Sequence, residues 1–115
     1  MANENLQIHT IPGNQSDIKV MSLVGSLNIQ TIFGFQEATR AETSPKLIID
    51  FTGVTYVDSA GLGALVGAYV AAGRHQRKLA VAGMNTQVKA LVDMTHVGQL
   101  IKSYPQVADA EAALA

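Results

Sequence analysis

One hydroxyl stands at the mouth of a glycine- and alanine-rich stretch: Ser59, in the run Val57-Asp58-Ser59-Ala60-Gly61-Leu62-Gly63. A serine in such a place has three chemistries open to it. It can cap a helix, its oxygen accepting from a backbone N–H of the first turn. It can carry a phosphate, which the unpaired N–H groups and the dipole of a helix N-terminus stabilise by about 0.3–1 kcal/mol. It can attack a substrate, given a positioned base. The nucleophile has the least support. No Gly-x-Ser-x-Gly elbow surrounds Ser59. His9, His75 and His96 are scattered along the chain with no metal-ligand spacing. A small hydrolase is therefore the last of the readings.

The phosphate reading has a physical consequence. Phosphorylation adds about −1.5 to −2 charges. At a helix N-terminus that charge leaves the helix standing and changes what the surface binds, and Asp58 beside it adds to the negative charge. The residues that follow are unusually small: Ala60, Gly61, Gly63, Ala64, Gly67, Ala68, Ala71 and Ala72. Each interior glycine costs a helix about 1 kcal/mol relative to alanine. Two explanations fit: close approach of another part of the same domain, or a flat docking surface for a partner. Arg74-His75-Gln76-Arg77-Lys78 forms a small basic cluster. It suits the C-terminus of the same helix and a solvated turn, or a rim contact with an acidic partner.

The whole-chain totals limit the function classes. The 115 residues suffice for one domain with its own core, and 48% are hydrophobic. A net charge of −1 gives no electrostatic case for direct binding of nucleic acid. The chain has no cysteine, which excludes disulfides and zinc–thiolate sites and is compatible with a cytoplasmic location. No cofactor or metal site is expected. Met1 to Thr10 lacks a basic region followed by an apolar run, so no signal peptide is expected there. The stretch from Val54 to Gly73 approaches the length of a membrane span, but Asp58 inside it is costly in lipid, and no membrane insertion is expected.

The elements that must hold Ser59 follow from the hydropathy pattern. Leu6 to Ile11 and Ile18 to Val24 read as an antiparallel hairpin around a Pro12–Ser16 loop, the second strand ending at Gly25. Asn28 to Glu42 reads as a helix capped by Asn28, with Ile29, Ile32 and Phe33 as its apolar stripe. Leu47 to Phe51 is nearly continuous in apolar residues, as in a strand buried on both faces; Thr52-Gly53 breaks it, and Val54 to Val57 crosses to the next element. Ser59 then caps a helix to about Gly73, with Leu62, Leu65, Val66 and Tyr69 facing inward. Lys78 to Ala82 is a further buried strand. Asn85 caps a helix to about Thr95, Gln99 to Lys102 forms a short strand, and Gln106 to Leu114 a last helix. This order predicts a single α/β domain: a mixed sheet, an N-terminal antiparallel hairpin plus parallel βαβ units, and about four helices. In such folds, functional groups collect beyond the carboxyl ends of the strands, where Ser59 falls.

The run LIIDFTGVTYVDSAGLGALVGAY resembles the core of a STAS domain, as found in bacterial anti-anti-sigma factors (anti-sigma factor antagonists). The family's signature is an apolar strand followed by Asp-Ser-Ser/Thr-Gly-Leu-Gly at the start of a helix. Val24 to Asn28, VGSLN, falls where the family has a Gly-Glu-Leu-Asp-like turn, and VKALVDMTHVG resembles its third helix. The resemblance covers nearly the whole chain and implies one STAS domain over residues 1–115. It implies that Ser59 is phosphorylated by an anti-sigma factor with serine kinase activity. It further implies that the unphosphorylated form binds that partner and frees a sigma factor, that a serine phosphatase reverses the modification, and that the chain is not an enzyme. The implied partner surface comprises Ser26, Asn28, Asp58, Ser59, Ala60, Gly61, Leu62 and Gly63. Two features depart from the pattern. Ala60 replaces the second hydroxyl residue, leaving Ser59 as sole acceptor in the motif, and uncharged Ser26 and Asn28 replace the turn's acidic residues. These departures support the alternative, a non-phosphorylated STAS module of a lipid-transport complex or signalling scaffold.

Overall fold

The computed structural model describes residues 5–115. The reading of the first ten residues therefore falls in part on residues 1–4, outside the described ones. Strand β1 (Leu6–Pro12) is followed by β2 (Ile18–Leu27), helix α1 (Ile32–Ala41), β3 (Lys46–Val57), α2 (Ser59–Arg74) and β4 (Lys78–Ala82). Then come α3 (Thr86–Met94), a single 3-10 turn (Val97–Gln99), β5 (Ser103–Tyr104) and α4 (Val107–Leu114). The five strands form one sheet in sequence order, β1-β2-β3-β4-β5. β1 runs antiparallel to β2, and every other neighbouring pair is parallel. The predicted class, a single α/β domain with a mixed sheet and four helices, is the observed one.

Strand order dictates the layers. When parallel strands are added one after another in the same direction, right-handed crossovers place every intervening helix on one face. The main core accordingly joins Phe35 of α1, Leu62 and Leu65 of α2 and Val88 and Val92 of α3 to the sheet. Alternating strand residues meet them: Met21 and Leu23, then Leu47, Ile49 and Phe51, then Leu79 and Val81. The other face carries Ile18, Val20, Ile48, Ala80 and Ala82, and α4 covers these through Ala110. Alanine in β4 and in α4 lets that short helix lie close to the strands. Glu111 of α4 accepts a hydrogen bond from the Asn14 N–H in the β1–β2 turn at 2.8 Å.

Four local readings are corrected. β2 continues past Gly25 to Leu27, and β3 continues through Thr52-Gly53 to Val57, so the segment Val54 to Val57 is strand rather than crossover. Register shifts between Ser22 and Val24 and between Gly25 and Ser26 show how: twice, β3 carries an extra residue against β2. Gly53 sits at the first of these, where a Cβ would stand 2.8 Å from the Leu23 carbonyl oxygen. A glycine inside an apolar run marked a bulge rather than an end. In α1, Asn28 does not cap the helix, which starts four residues later with Thr31 at the cap position. Its inward face is Ile32, Phe35 and Ala38, while Ile29 and Phe33 are 62% and 74% exposed. Finally, Val97 to Gln99 is a 3-10 turn that buries Val97, and the last strand comes after it, at Ser103–Tyr104.

The beginning of α2 is the tightest junction in the fold. Gly61 lies against the end of β2, and a Cβ there would drive into the carbonyl oxygen of Leu27. Gly63 and Gly67, on the same helix, have open space where a Cβ would stand. The small residues of α2 thus serve two different ends. Gly61→Ala should destabilise the fold by about 1–3 kcal/mol through overpacking. Gly63→Ala and Gly67→Ala should each stabilise it by about 0.5–1 kcal/mol through helix propensity. Urea melts of the three variants check this, and a Gly61→Ala midpoint equal to wild type would contradict the close approach.

Candidate functional site

The parallel two-stranded overhang of β2 and β3 ends with Leu27 opposite Val57. The chain then turns into α2, and Asp58 controls the turn. Its backbone N–H donates to the Leu27 carbonyl at 3.2 Å, and its own carbonyl accepts from Leu62 at 2.9 Å. Its carboxylate divides between two segments. Oδ1 accepts from the Gly61 N–H at 2.8 Å, and Oδ2 accepts from the Ile29 N–H at 3.1 Å. Asp58, rather than Ser59, is therefore the N-cap of α2. The expectation for Ser59 is corrected by one position: it is the first helical residue. The physical reason is that Asp58 has the extended backbone a cap needs, while Ser59 already has entered the helix.

Relieved of capping, Ser59 is exposed, and no hydrogen bond holds its hydroxyl among the described residues. It lies on the rim of a groove of about 430 Å³, with Tyr56 and Asp58 on one side and Gln87, Val88 and Leu91 of α3 on the other. None of the three histidines lines this groove. They lie apart, His9 on β1, His75 just after α2 and His96 just before the 3-10 turn.

The β2–α1 turn is built from buried polar groups. Asn28 is 7% exposed and Thr31 is 8% exposed. The Thr31 hydroxyl accepts from the Asn28 N–H at 2.9 Å and donates to the Ser26 carbonyl at 2.8 Å. Asn28 Oδ1 accepts from the Gln30 N–H at 2.9 Å. Asparagine suits this place because its side-chain oxygen closes a local turn on the backbone two residues on. Asn28 therefore shapes the turn from inside, and Ser26 is half-buried on β2 opposite Tyr56.

The structure does bring the sequence-identified residues together, but it sorts them. Ser59 and Gly63 are exposed, Asp58 and Ala60 are half-buried, and Gly61 and Leu62 are buried. Sequence reasoning missed Tyr56, which is 55% exposed at the end of β3, together with Gln87 and Leu91. The alternation of β3 carried to Val57 would have shown Tyr56. It also missed that Ile29 and Phe33 face solvent next to this junction, since their apolar character pointed to the core.

Comparison with known proteins identifies the family. The STAS domain family model matches residues 7–110, and the chain belongs to that family. A Staphylococcus epidermidis protein named anti-sigma-B factor antagonist is 28% identical over 100 residues, covering 84% of this chain and 91% of the relative. The crystal structure of an anti-sigma factor antagonist from Mycobacterium paratuberculosis superposes with a TM-score of 0.87 at 22% identity, covering 97% of this chain and 96% of that one. The Bacillus cell fate determinant SpoIIAA, in its phosphorylated form, superposes with a TM-score of 0.70 at 12% identity, covering 96% of this chain and 100% of that one. Among the described residues, no helix is long and apolar enough to cross a membrane.

The geometry separates the roles of Asp58 and Ser59 in a way stability measurements read. Asp58→Ala removes a cap, worth about 1 kcal/mol, and a second bond to a charged acceptor, worth about 1.5–3 kcal/mol. Its unfolding free energy should fall by about 2–4 kcal/mol. Ser59→Ala should stay within about 0.5 kcal/mol of wild type. Chemical denaturation of both variants checks this, and the reverse ranking would return the capping role to Ser59.

Proposed function

We propose that this chain is an anti-sigma factor antagonist whose binding is switched by phosphorylation of Ser59. The observation that carries the reading is the position of Ser59: exposed, unbonded among the described residues, and first in a helix that Asp58 caps. A phosphate there adds charge without removing a structural hydrogen bond. The relative named anti-sigma-B factor antagonist and the same fold in a protein with a phosphorylated form support it. In this reading the chain is a binding module and a phosphorylation substrate, not an enzyme. It acts in the cytoplasm. Its partners are an anti-sigma factor with serine kinase activity and a serine phosphatase, with no direct contact to nucleic acid.

The chemistry of the switch is local. The partner rests on exposed Ser59 and Gly63 and on half-buried Ala60 between them, while Gly61, Leu62 and Asn28 hold the surface in shape. A phosphate of about −1.5 to −2 charges, next to the Asp58 carboxylate, makes that surface strongly anionic. A loss of about 2.8 kcal/mol is a hundredfold weaker complex. The helix stays folded while the partner leaves.

A second reading rests on Ser26 and Asn28, which bring no charge to the turn beside Ser59. It is a STAS module that is never phosphorylated and serves a lipid-transport complex or a signalling scaffold. Two measurements decide. Binding to the cognate anti-sigma factor should be retained in Ser59→Ala and weakened at least a hundredfold in Ser59→Asp. Incubation with that factor and ATP should label wild type on Ser59 and leave Ser59→Ala unlabelled. Equal binding by Ser59→Asp, or absence of label on wild type, would move the assignment to the second reading.

A further inference from the structure

A groove of about 500 Å³ runs between α1 and α2, away from the rim that holds Ser59. Its floor is apolar, made by Leu47 and Leu79 at the starts of β3 and β4 and by Ala64 and Ala68 of α2. Leu47 and Leu79 belong to the main core, and each is 7% exposed, so only their edges reach the groove floor. Gly63 and Gly67 line it with nothing within 4 Å of where a Cβ would stand.

The end of the groove is basic. Arg40 from α1, and Arg77 and Lys78 from the connection to β4, gather there with His75. None of these cations makes an ion pair among the described residues, where the recorded pair is Lys46 with Asp17. The acidic residue of the wall, Glu42, is already engaged: its carboxylate accepts from the Ser44 N–H at 3.0 Å and from the Ser44 hydroxyl at 2.6 Å. The Arg77 guanidinium donates to the Glu42 backbone carbonyl at 3.4 Å. In a chain of net charge −1, this is a local excess of positive charge. The ends of α1 and α2 account for favourable cations there. They do not account for an apolar groove floor leading to them.

We propose that this groove binds a long-chain carboxylate. The alkyl tail lies along Leu47, Leu79 and the small residues of α2, and the carboxylate meets Arg40, Arg77 and Lys78. The volume falls within the range of small-molecule sites, about 300–1,000 Å³. From Gly63 to His75, α2 advances about 18 Å, which gives an extended alkyl chain a matching track. Arginine matches the planar, two-oxygen geometry of a carboxylate. The groove shares Gly63 with the proposed partner surface, and its lining does not include Ser59.

The test is titration of the full chain with myristate below its micelle-forming concentration, followed by calorimetry and by backbone amide chemical shifts. Saturable binding is expected, with the shifts concentrated on α2 and the starts of β3 and β4. Gly67→Leu places a side chain in the groove where the fold has room for it, and should weaken binding at least tenfold. Lys78→Glu and Arg40→Glu should each weaken it severalfold, and the uncharged alcohol and the cationic trimethylammonium of the same chain length should bind at least tenfold more weakly. The proposal is overturned by absence of saturable binding to wild type, by undiminished binding to Gly67→Leu, or by equal binding of the cationic amphiphile.

Discussion

The Asp58 carboxylate takes one backbone N–H from Gly61 and another from Ile29. Those two bonds join segments that are adjacent in space and far apart in sequence, the first turn of α2 and the loop entering α1. A single side chain thereby sets the start of α2 and the shape of the surface beside it. The junction tolerates little variation. Leu27 accepts from Asp58, and Gly61 lies directly on the same carbonyl. Only a residue without a Cβ allows α2 to begin there. The neighbouring serine is then free of structural duty. This division of labour, with aspartate holding the helix and serine facing solvent, makes a chemical change at Ser59 compatible with an unchanged fold.

The rest of the architecture supports that junction by placing it beyond the sheet. β3 pairs with both neighbours only as far as Asp50 and continues with β2 alone to Val57. The two bulges lie in this overhang, where local twist carries the strand ends away from the sheet. Helices on one face supply the core beneath it. α2 serves both purposes: Leu62 and Leu65 anchor it while Ser59, Gly63 and Gly67 remain on its outer side. The glycines of this helix are therefore not equivalent. Gly61 answers to sterics inside the domain, and Gly63 and Gly67 leave an open strip that the core does not need.

Much of this was legible from residue types. The buried runs Leu47–Phe51 and Lys78–Ala82, the helix between them and the cap at Asn85 follow directly from period, β-branching and capping chemistry. The places where reading from sequence went astray share one cause: competition among local signals that only tertiary contacts resolve. Thr52-Gly53 looks like a stop, yet pairing with β2 carries the strand through it as a bulge. Asp58 and Ser59 are both good caps, and backbone conformation chose the aspartate. Asn28 is a good cap as well, but its oxygen is used in a turn that delays the helix to Ile32. Phe33 and Phe35 are equally apolar, and only the resulting helical phase decides that Phe35 is the buried one. For the candidate site, the motif marks the start of α2, while Tyr56, Gln87 and Leu91 became visible only through the groove between the end of β3 and α3.

The two faces of the sheet are covered by unequal means, α1, α2 and α3 on one and α4 on the other. A ribosome releases this chain from its N-terminus. β2 and β3 therefore emerge together with the helices that close their first face. Ile18, Val20 and Ile48, on the second face, wait for residues 107–114. During that interval the nascent sheet is waterproofed on one side only, and its apolar reverse stays wet until α4 arrives.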